Sequence, residues 1–271
     1  MNVNELQNHA LNIRRNIVKM VYNAQSGHPG GSLGAADILT YLYFEEMNVN
    51  KDNVGSVDRD RFVLSKGHCS PALYATLYEA GLMNEDLMGF RQLGSKLQGH
   101  PNMNYVDGVD MSTGSLGQGV SAAVGMAIAN KLDGNKNRVY ALCGDGEAEE
   151  GIVWEALMAA CHYKLDNLCI IFDQNGLQID GNVQDVIGPL PLLEKAQAFG
   201  AATIECDGND FEQLANAFGY ARQNKGVPTV IIAHTVKGKG VSYMENNYAW
   251  HGAAPKEEDY NIAMEDLKEV R

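Results

Sequence analysis

The sequence predicts an α/β protein: a doubly wound, mostly parallel sheet with helices on both faces. Three observations carry this. Runs such as Val139-Tyr140-Ala141-Leu142-Cys143 and Leu168-Cys169-Ile170-Ile171-Phe172 are apolar at every position, as strands covered on both faces are. Segments of helical period separate these runs, the alternation that parallel crossovers require. Glycine-rich turns close the runs, at the sheet edge where such folds bind ligands.

The elements follow in order. Over residues 5–24, Leu6, Ala10, Ile13, Ile17, Met20, Val21 and Ala24 share one helical face, with Arg14, Arg15 and Lys19 on its solvated side. Residues 26–31 hold three glycines and a proline and are expected to be non-helical, with Ser32 capping the helix after them. Arg61 to Ser65 reads as a strand, Lys66-Gly67-His68 as a tight turn and 71–80 as a helix. Gly99-His100-Pro101 is another turn. MSTGSLGQG, residues 111–119, opens a helix rich in small residues, among them Val120, Ala123, Val124, Ala127 and Ile128. The strand 139–143 is followed by a helix facing inward through Val153, Leu157, Ala160 and Cys161, then by the strand 168–172. Thr203 to Cys206 and Thr229 to Val236 complete the strands. No repeat or linker breaks the chain, so residues 1–271 are expected to form a single domain, with an acidic peripheral tail over about 255–271.

Composition narrows the function. The net charge of −13 argues against nucleic acid and anionic membrane as partners, although a local glycine loop or a metal can still attract an anionic small ligand. Cysteines 69, 143, 161, 169 and 206 form no CxxC pair and no zinc spacing, and read as small buried hydrophobes of a reducing compartment. No signal-peptide pattern and no 18-residue apolar run occurs, so a cytoplasmic location is expected.

The stretch GDGEAEEG, 144–151, places Asp145 between two glycines at the end of an apolar strand. GDG alone is also an ordinary turn that starts a helix with an acid. An EF-hand does not fit, because its sixth position would be Glu150, and neither GxGxxG nor GK[ST] is present. Between Gly146 and Asn175 lie residues 147–174, one helix and one strand, a unit that returns the chain to the same sheet edge. Asp145 and Asn175 are therefore expected side by side. A carboxylate, an amide oxygen and a backbone carbonyl suit a hard cation such as Mg²⁺, which keeps open positions for phosphate oxygens. Gly144 and Gly146 let backbone N–H groups approach a phosphate.

This spacing resembles the metal and thiamine diphosphate motif. The resemblance implies that Asp145, Asn175 and the carbonyl of Leu177 hold the metal, Mg²⁺ or Ca²⁺, and that Gly146 touches the diphosphate. Four histidines lie on glycine turns: His28 in SGHPGGS, His68 in SKGHCSP, His100 in QGHPN and His251 in WHGAAP. His9, His162 and His234 sit in periodic or apolar segments and read as structural. With TGSLGQG and NGLQIDG, the four turns resemble transketolase over about residues 10–255. That resemblance implies a thiamine diphosphate-binding fold, with His68 and His251 on the diphosphate and near the thiazolium. It turns His28, His100 and His251 toward a sugar, and lays Gly114, Ser115 and Leu116 over the aminopyrimidine through backbone atoms. Many members have Pro where Ser115 stands. Glu150 matches an acid that the family places at a subunit interface; a favourable charge at a helix N-terminus accounts for it equally.

The chemistry fits these residue types, since sugar chemistry moves protons on and off hydroxyls and histidine titrates near neutrality. The chain resembles the N-terminal subunit of a split, two-chain transketolase. That implies a complementary C-terminal subunit carrying the pyrimidine-binding domain, association around a twofold axis, and sugar phosphate substrates. Two other readings stay open: the α-type subunit of a two-chain 2-oxoacid dehydrogenase, and a non-catalytic thiamine diphosphate-binding regulatory subunit.

Overall fold

The computed structural model describes residues 1–269. The chain begins with helices α1 (Val3–Ala24), α2 (Pro29–Gly34) and α3 (Ala36–Tyr41), then strand β1 (Arg61–Leu64) and helix α4 (Ser70–Glu79). Helix α5 (Gln118–Leu132) leads into β2 (Val139–Gly144), α6 (Gly151–His162) and β3 (Leu168–Gln174). A small hairpin of β4 (Leu177–Gln178) and β5 (Gly181–Asn182) follows, then α7 (Val183–Val186) and α8 (Leu192–Ala198). The remaining elements are β6 (Ala202–Asp207), α9 (Phe211–Gln223), β7 (Thr229–His234) and α10 (Glu257–Asp266).

Five strands form one parallel sheet in the order β1-β2-β3-β7-β6. Its two faces feed separate cores, because side chains alternate along a strand. Phe62, Leu64, Tyr140, Leu142 and Ile171 pack against α1, α3, α4 and α9. Val63, Val139, Ala141, Ile170 and Phe172 pack against α5, α6 and α8. The expected doubly wound α/β architecture is thus present. Among the described residues no helix is long and apolar enough to cross a membrane.

Local chemistry explains the element ends. Asn2 and Glu5 form a reciprocal capping box that starts α1, and Asp210 accepts from the backbone N–H groups of Glu212 and Gln213 to start α9. Two helix readings are corrected: Arg14 is not on a solvated side but buried and paired with Asp37, and α2 begins at Pro29, inside the stretch expected to be non-helical. Proline is favourable in a first turn, where its missing N–H costs no hydrogen bond. The glycines there serve packing, since a Cβ on Gly31 would lie 2.9 Å from Cys69 Sγ. Ser32 accordingly does not cap; it sits within α2 and its hydroxyl donates to the His28 carbonyl at 2.7 Å. The acidic segment expected from about residue 255 contains α10. There Ala263 is buried, and the carbonyl of Leu267 just beyond accepts from Arg15 Nε on α1. Residues 270 and 271 of that segment lie outside the described residues.

Candidate functional site

The carboxyl ends of β1, β2, β3 and β7 converge on one cleft. Asp145 follows β2 and is 2% exposed. Its carboxylate accepts from Gly146 N at 2.8 Å and from Gly176 N at 2.5 Å, which fastens the end of β2 to the turn after β3. Asn175 stands in that turn, its Oδ1 accepting from Leu177 N at 3.1 Å. The single βα unit read from the spacing therefore does bring Asp145 and Asn175 to the same edge. The Asp145 carboxyl is pushed up to about 6, by burial first and then by the charge of Asp173. Buried acid oxygens of this kind, with an amide oxygen and the Leu177 carbonyl beside them, fit a hard divalent cation. Among the described residues no cluster of three His, Cys, Asp or Glu is poised to hold a metal, so a cation here would rely on amide and carbonyl oxygens too.

Three histidines form the opposite wall. The ring centroids of His28 and His68 are 5.2 Å apart, those of His28 and His251 5.5 Å, and those of His68 and His251 5.1 Å. Burial is the main reason all three favour the neutral form. It acts with Arg91 on His28, lowering it to about 4, and with Lys237 on His251, lowering it to about 3. His68 is held well below its ordinary value by burial and then Lys66. The cavity between these walls has a volume of about 270 Å³, and Gly114, Leu116, Gly146 and Leu177 also face it.

Three expected residues lie outside that lining. His100 is exposed at the rim, its ring against the backbone of Gly114, where a Cβ would fall 3.1 Å from the imidazole. Ser115 is exposed beside it. Glu150 is exposed at the start of α6 and its side chain makes no capping bond.

Sequence reading missed two buried cations. Lys66 pairs with Asp173 beneath the cleft, both side chains almost fully enclosed, and Asp173 also accepts from Thr235 Oγ1. Burial opposes the charge on Lys66, but Asp173 together with lesser acid neighbours outweighs it and raises its pKa. Lys237 is 2% exposed, and among the described residues it has no carboxylate partner. Burial, and then Lys66, lower it to about 8. A buried ammonium facing a cavity without a counter-ion fits an anionic ligand such as a phosphate. The only sequence signal for either lysine was its place beside a glycine, in SKGH and TVKGKG.

Glu147, one acid of the GDGEAEEG turn, proves to be its fastener. Its carboxylate accepts from Ser65 Oγ at 2.5 Å, Gly117 N at 2.7 Å and Gly144 N at 3.0 Å, joining three of the turns around the cleft.

Comparisons with known proteins bear on this geometry. Residues 6–268 match the family model described as transketolase, thiamine diphosphate binding domain. The chain is 41% identical over 270 residues to an apulose-4-phosphate transketolase subunit of Phocaeicola vulgatus, covering 99% of this chain and 96% of that one. It is 40% identical over 265 residues to a 6-deoxy-6-sulfo-D-fructose transketolase subunit of Clostridium sp., covering 97% and 96%. Among solved structures, transketolase from Campylobacter jejuni superposes with a TM-score of 0.91 at 39% identity, over 99% of this chain and 43% of that one. Transketolase from Leishmania mexicana gives 0.90 at 37% identity, over 97% and 41%.

Proposed function

This chain belongs to the transketolase family, and from that premise we infer that it is the diphosphate-binding subunit of a two-chain transketolase. The observation that carries the reading is the match to relatives named as single subunits, which extends over almost the full length of both partners. With a complementary chain it transfers a two-carbon ketol unit from a ketose phosphate to an aldose phosphate. Bound thiamine diphosphate would supply the electron sink for breaking the carbon–carbon bond next to the ketose carbonyl.

The chain's own residues divide that work. Asp145, Asn175 and the Leu177 carbonyl hold a divalent cation, Mg²⁺ or Ca²⁺, on the diphosphate. Lys237 and His68 bind the diphosphate itself, and Gly146, which has no side chain, touches it. The backbone of Gly114, Ser115 and Leu116 covers the aminopyrimidine. His28, His100 and His251 face the sugar. Burial keeps His28 and His251 neutral at pH 7, and a neutral imidazole can accept a proton from a sugar hydroxyl. The exposed Met158 on α6 and Tyr163 just after it give apolar surface on the helix that Glu150 precedes, suited to contact with a second copy around a twofold axis. Five unpaired cysteines agree with a reducing, cytoplasmic location.

The test is reconstitution. The purified chain with thiamine diphosphate, Mg²⁺, xylulose 5-phosphate and ribose 5-phosphate should give no turnover, and adding the complementary chain should restore it. Strong turnover by the pure chain would overturn the two-chain reading. Turnover of a 2-oxoacid in place of the ketose would favour a dehydrogenase subunit, and cofactor binding without any turnover a regulatory one.

A further inference from the structure

We propose that Arg91 is a positioning residue that clamps together the turn carrying His28 and the turn carrying His100. The inference rests on the sugar-facing role given to these histidines above. Arg91 is a non-glycine residue at φ 56°, a left-handed conformation that costs about 1 kcal/mol and persists where surrounding contacts demand it. Its backbone N–H donates to the Leu97 carbonyl at 2.9 Å, so the loop folds back and aims the side chain at the cleft rim. Nη1 donates to Ser26 Oγ at 2.8 Å, two residues before His28. On its other side the guanidinium lies against Gly99, the residue before His100. A Cβ on Gly99 would fall 2.8 Å from Cζ, Nε and Nη2, so glycine is what lets the two groups meet. One planar group thus touches both histidine turns, which are remote in sequence.

The clamp also carries a charge. Among the described residues Arg91 forms no salt bridge, and its buried Nε has no hydrogen-bond partner. The groups facing His28 are Arg91, His100 and Lys237, with the rings of His68 and His251 at 5.2 and 5.5 Å. His100 faces Arg91 and His28. After burial, Arg91 is the largest influence disfavouring the protonated form of both imidazoles. The clamp therefore holds His28 and His100 in place and keeps them as proton acceptors.

The test uses the full chain with Arg91→Met, Arg91→Lys and Ser26→Ala. Imidazole titrations followed by NMR on the chain alone need no activity. In Arg91→Met both midpoints should rise, that of His100 more fully, because His28 keeps its burial and Lys237. Arg91→Lys retains the charge and should leave both near wild type. In the assembled two-chain enzyme, Arg91→Met should lower kcat/KM about ten- to a hundredfold, the scale of misplaced acid–base groups, and move the acid limb of the pH profile upward. Arg91→Lys should restore that limb but only part of the rate, since an ammonium cannot span both turns. Ser26→Ala frees one end of the clamp and should also lower kcat/KM. Unchanged midpoints in Arg91→Met would overturn the proposal. So would a loss confined to KM for phosphorylated ketoses, which would make Arg91 an anion contact instead. If the wild-type assembly showed no transketolase turnover, the functional reading would fail while the titrations still judged the clamp.

Discussion

Lys237 Nζ lies 3.0 Å from His251 Nδ1, at the end of a side chain that also donates to the Leu177 carbonyl at 3.0 Å. An ammonium can only donate, so Nδ1 accepts and the imidazole is neutral with its proton on Nε2. The pair joins the expected cation site to the histidine wall through one buried positive charge.

Lys237→Met should therefore weaken thiamine diphosphate binding about ten- to a hundredfold, the range of a lost charge-assisted hydrogen bond of about 1.5–3 kcal/mol. Calorimetry on the assembled enzyme at saturating Mg²⁺ reads this directly. Unaltered affinity would remove Lys237 from the diphosphate site.

Asp145→Asn should separate function from stability. The buried carboxylate lies close to Asp173, and burial and that second acid both disfavour its charge. Removing the charge relieves that cost, but an amide has one acceptor oxygen and forfeits the bond to Gly146 N or to Gly176 N, so the melting temperature of the cofactor-free chain at pH 7 should change little. The same change should lower Mg²⁺-supported cofactor affinity by at least about tenfold, the lesser effect of perturbing even an outer partner of a metal site. Unchanged cofactor affinity in this variant would remove Asp145 from the cation site.

The histidine wall should make the cofactor-free chain acid-sensitive. His28 titrates at about 4 and His251 at about 3 in the folded chain, against an ordinary 6.5, because burial and nearby cations disfavour their charged forms. Below pH 6.5 the unfolded chain takes up protons that the folded chain refuses. Their contribution to stability is thus complete above pH 6.5 and is lost as pH falls toward 4. Melting temperatures measured from about pH 8 to about pH 4 should decline over that window, and His251→Asn should flatten the decline. A slope identical to wild type would contradict the assignment.

Gly67→Ala should damage both fold and cofactor site. A Cβ there would meet Thr113 Oγ1 at 2.5 Å and Gly114 N at 2.8 Å, and a backbone atom cannot rotate away. Overpacking of this kind costs about 1–3 kcal/mol. Thermal denaturation should show the loss, and cofactor affinity should fall because the displaced backbone carries Gly114. A stable, tightly binding variant would mean that this contact relaxes freely.

The sequence by itself determined the strands and the arrival of Asp145 and Asn175 at the same sheet edge. Strands apolar on both faces have a single solution, a parallel sheet covered on both sides, and one βα unit must return the chain to the edge it left. It also marked the four histidine turns, because glycine and proline punctuate a chain through local backbone sterics. What only the tertiary structure decided is which distant segments meet. Leu177 and Lys237 are 60 residues apart and touch because β7, not β6, pairs with β3. Neither apolar pattern nor spacing fixes that strand order. The three bonds that Glu147 makes to the turns of β1, β2 and α5, and the reach of Arg91 from Ser26 to Gly99, have the same origin. Local patterns fix elements through neighbouring dihedrals and periodic burial, whereas the contacts of single polar side chains across the cleft depend on the packing of the whole sheet.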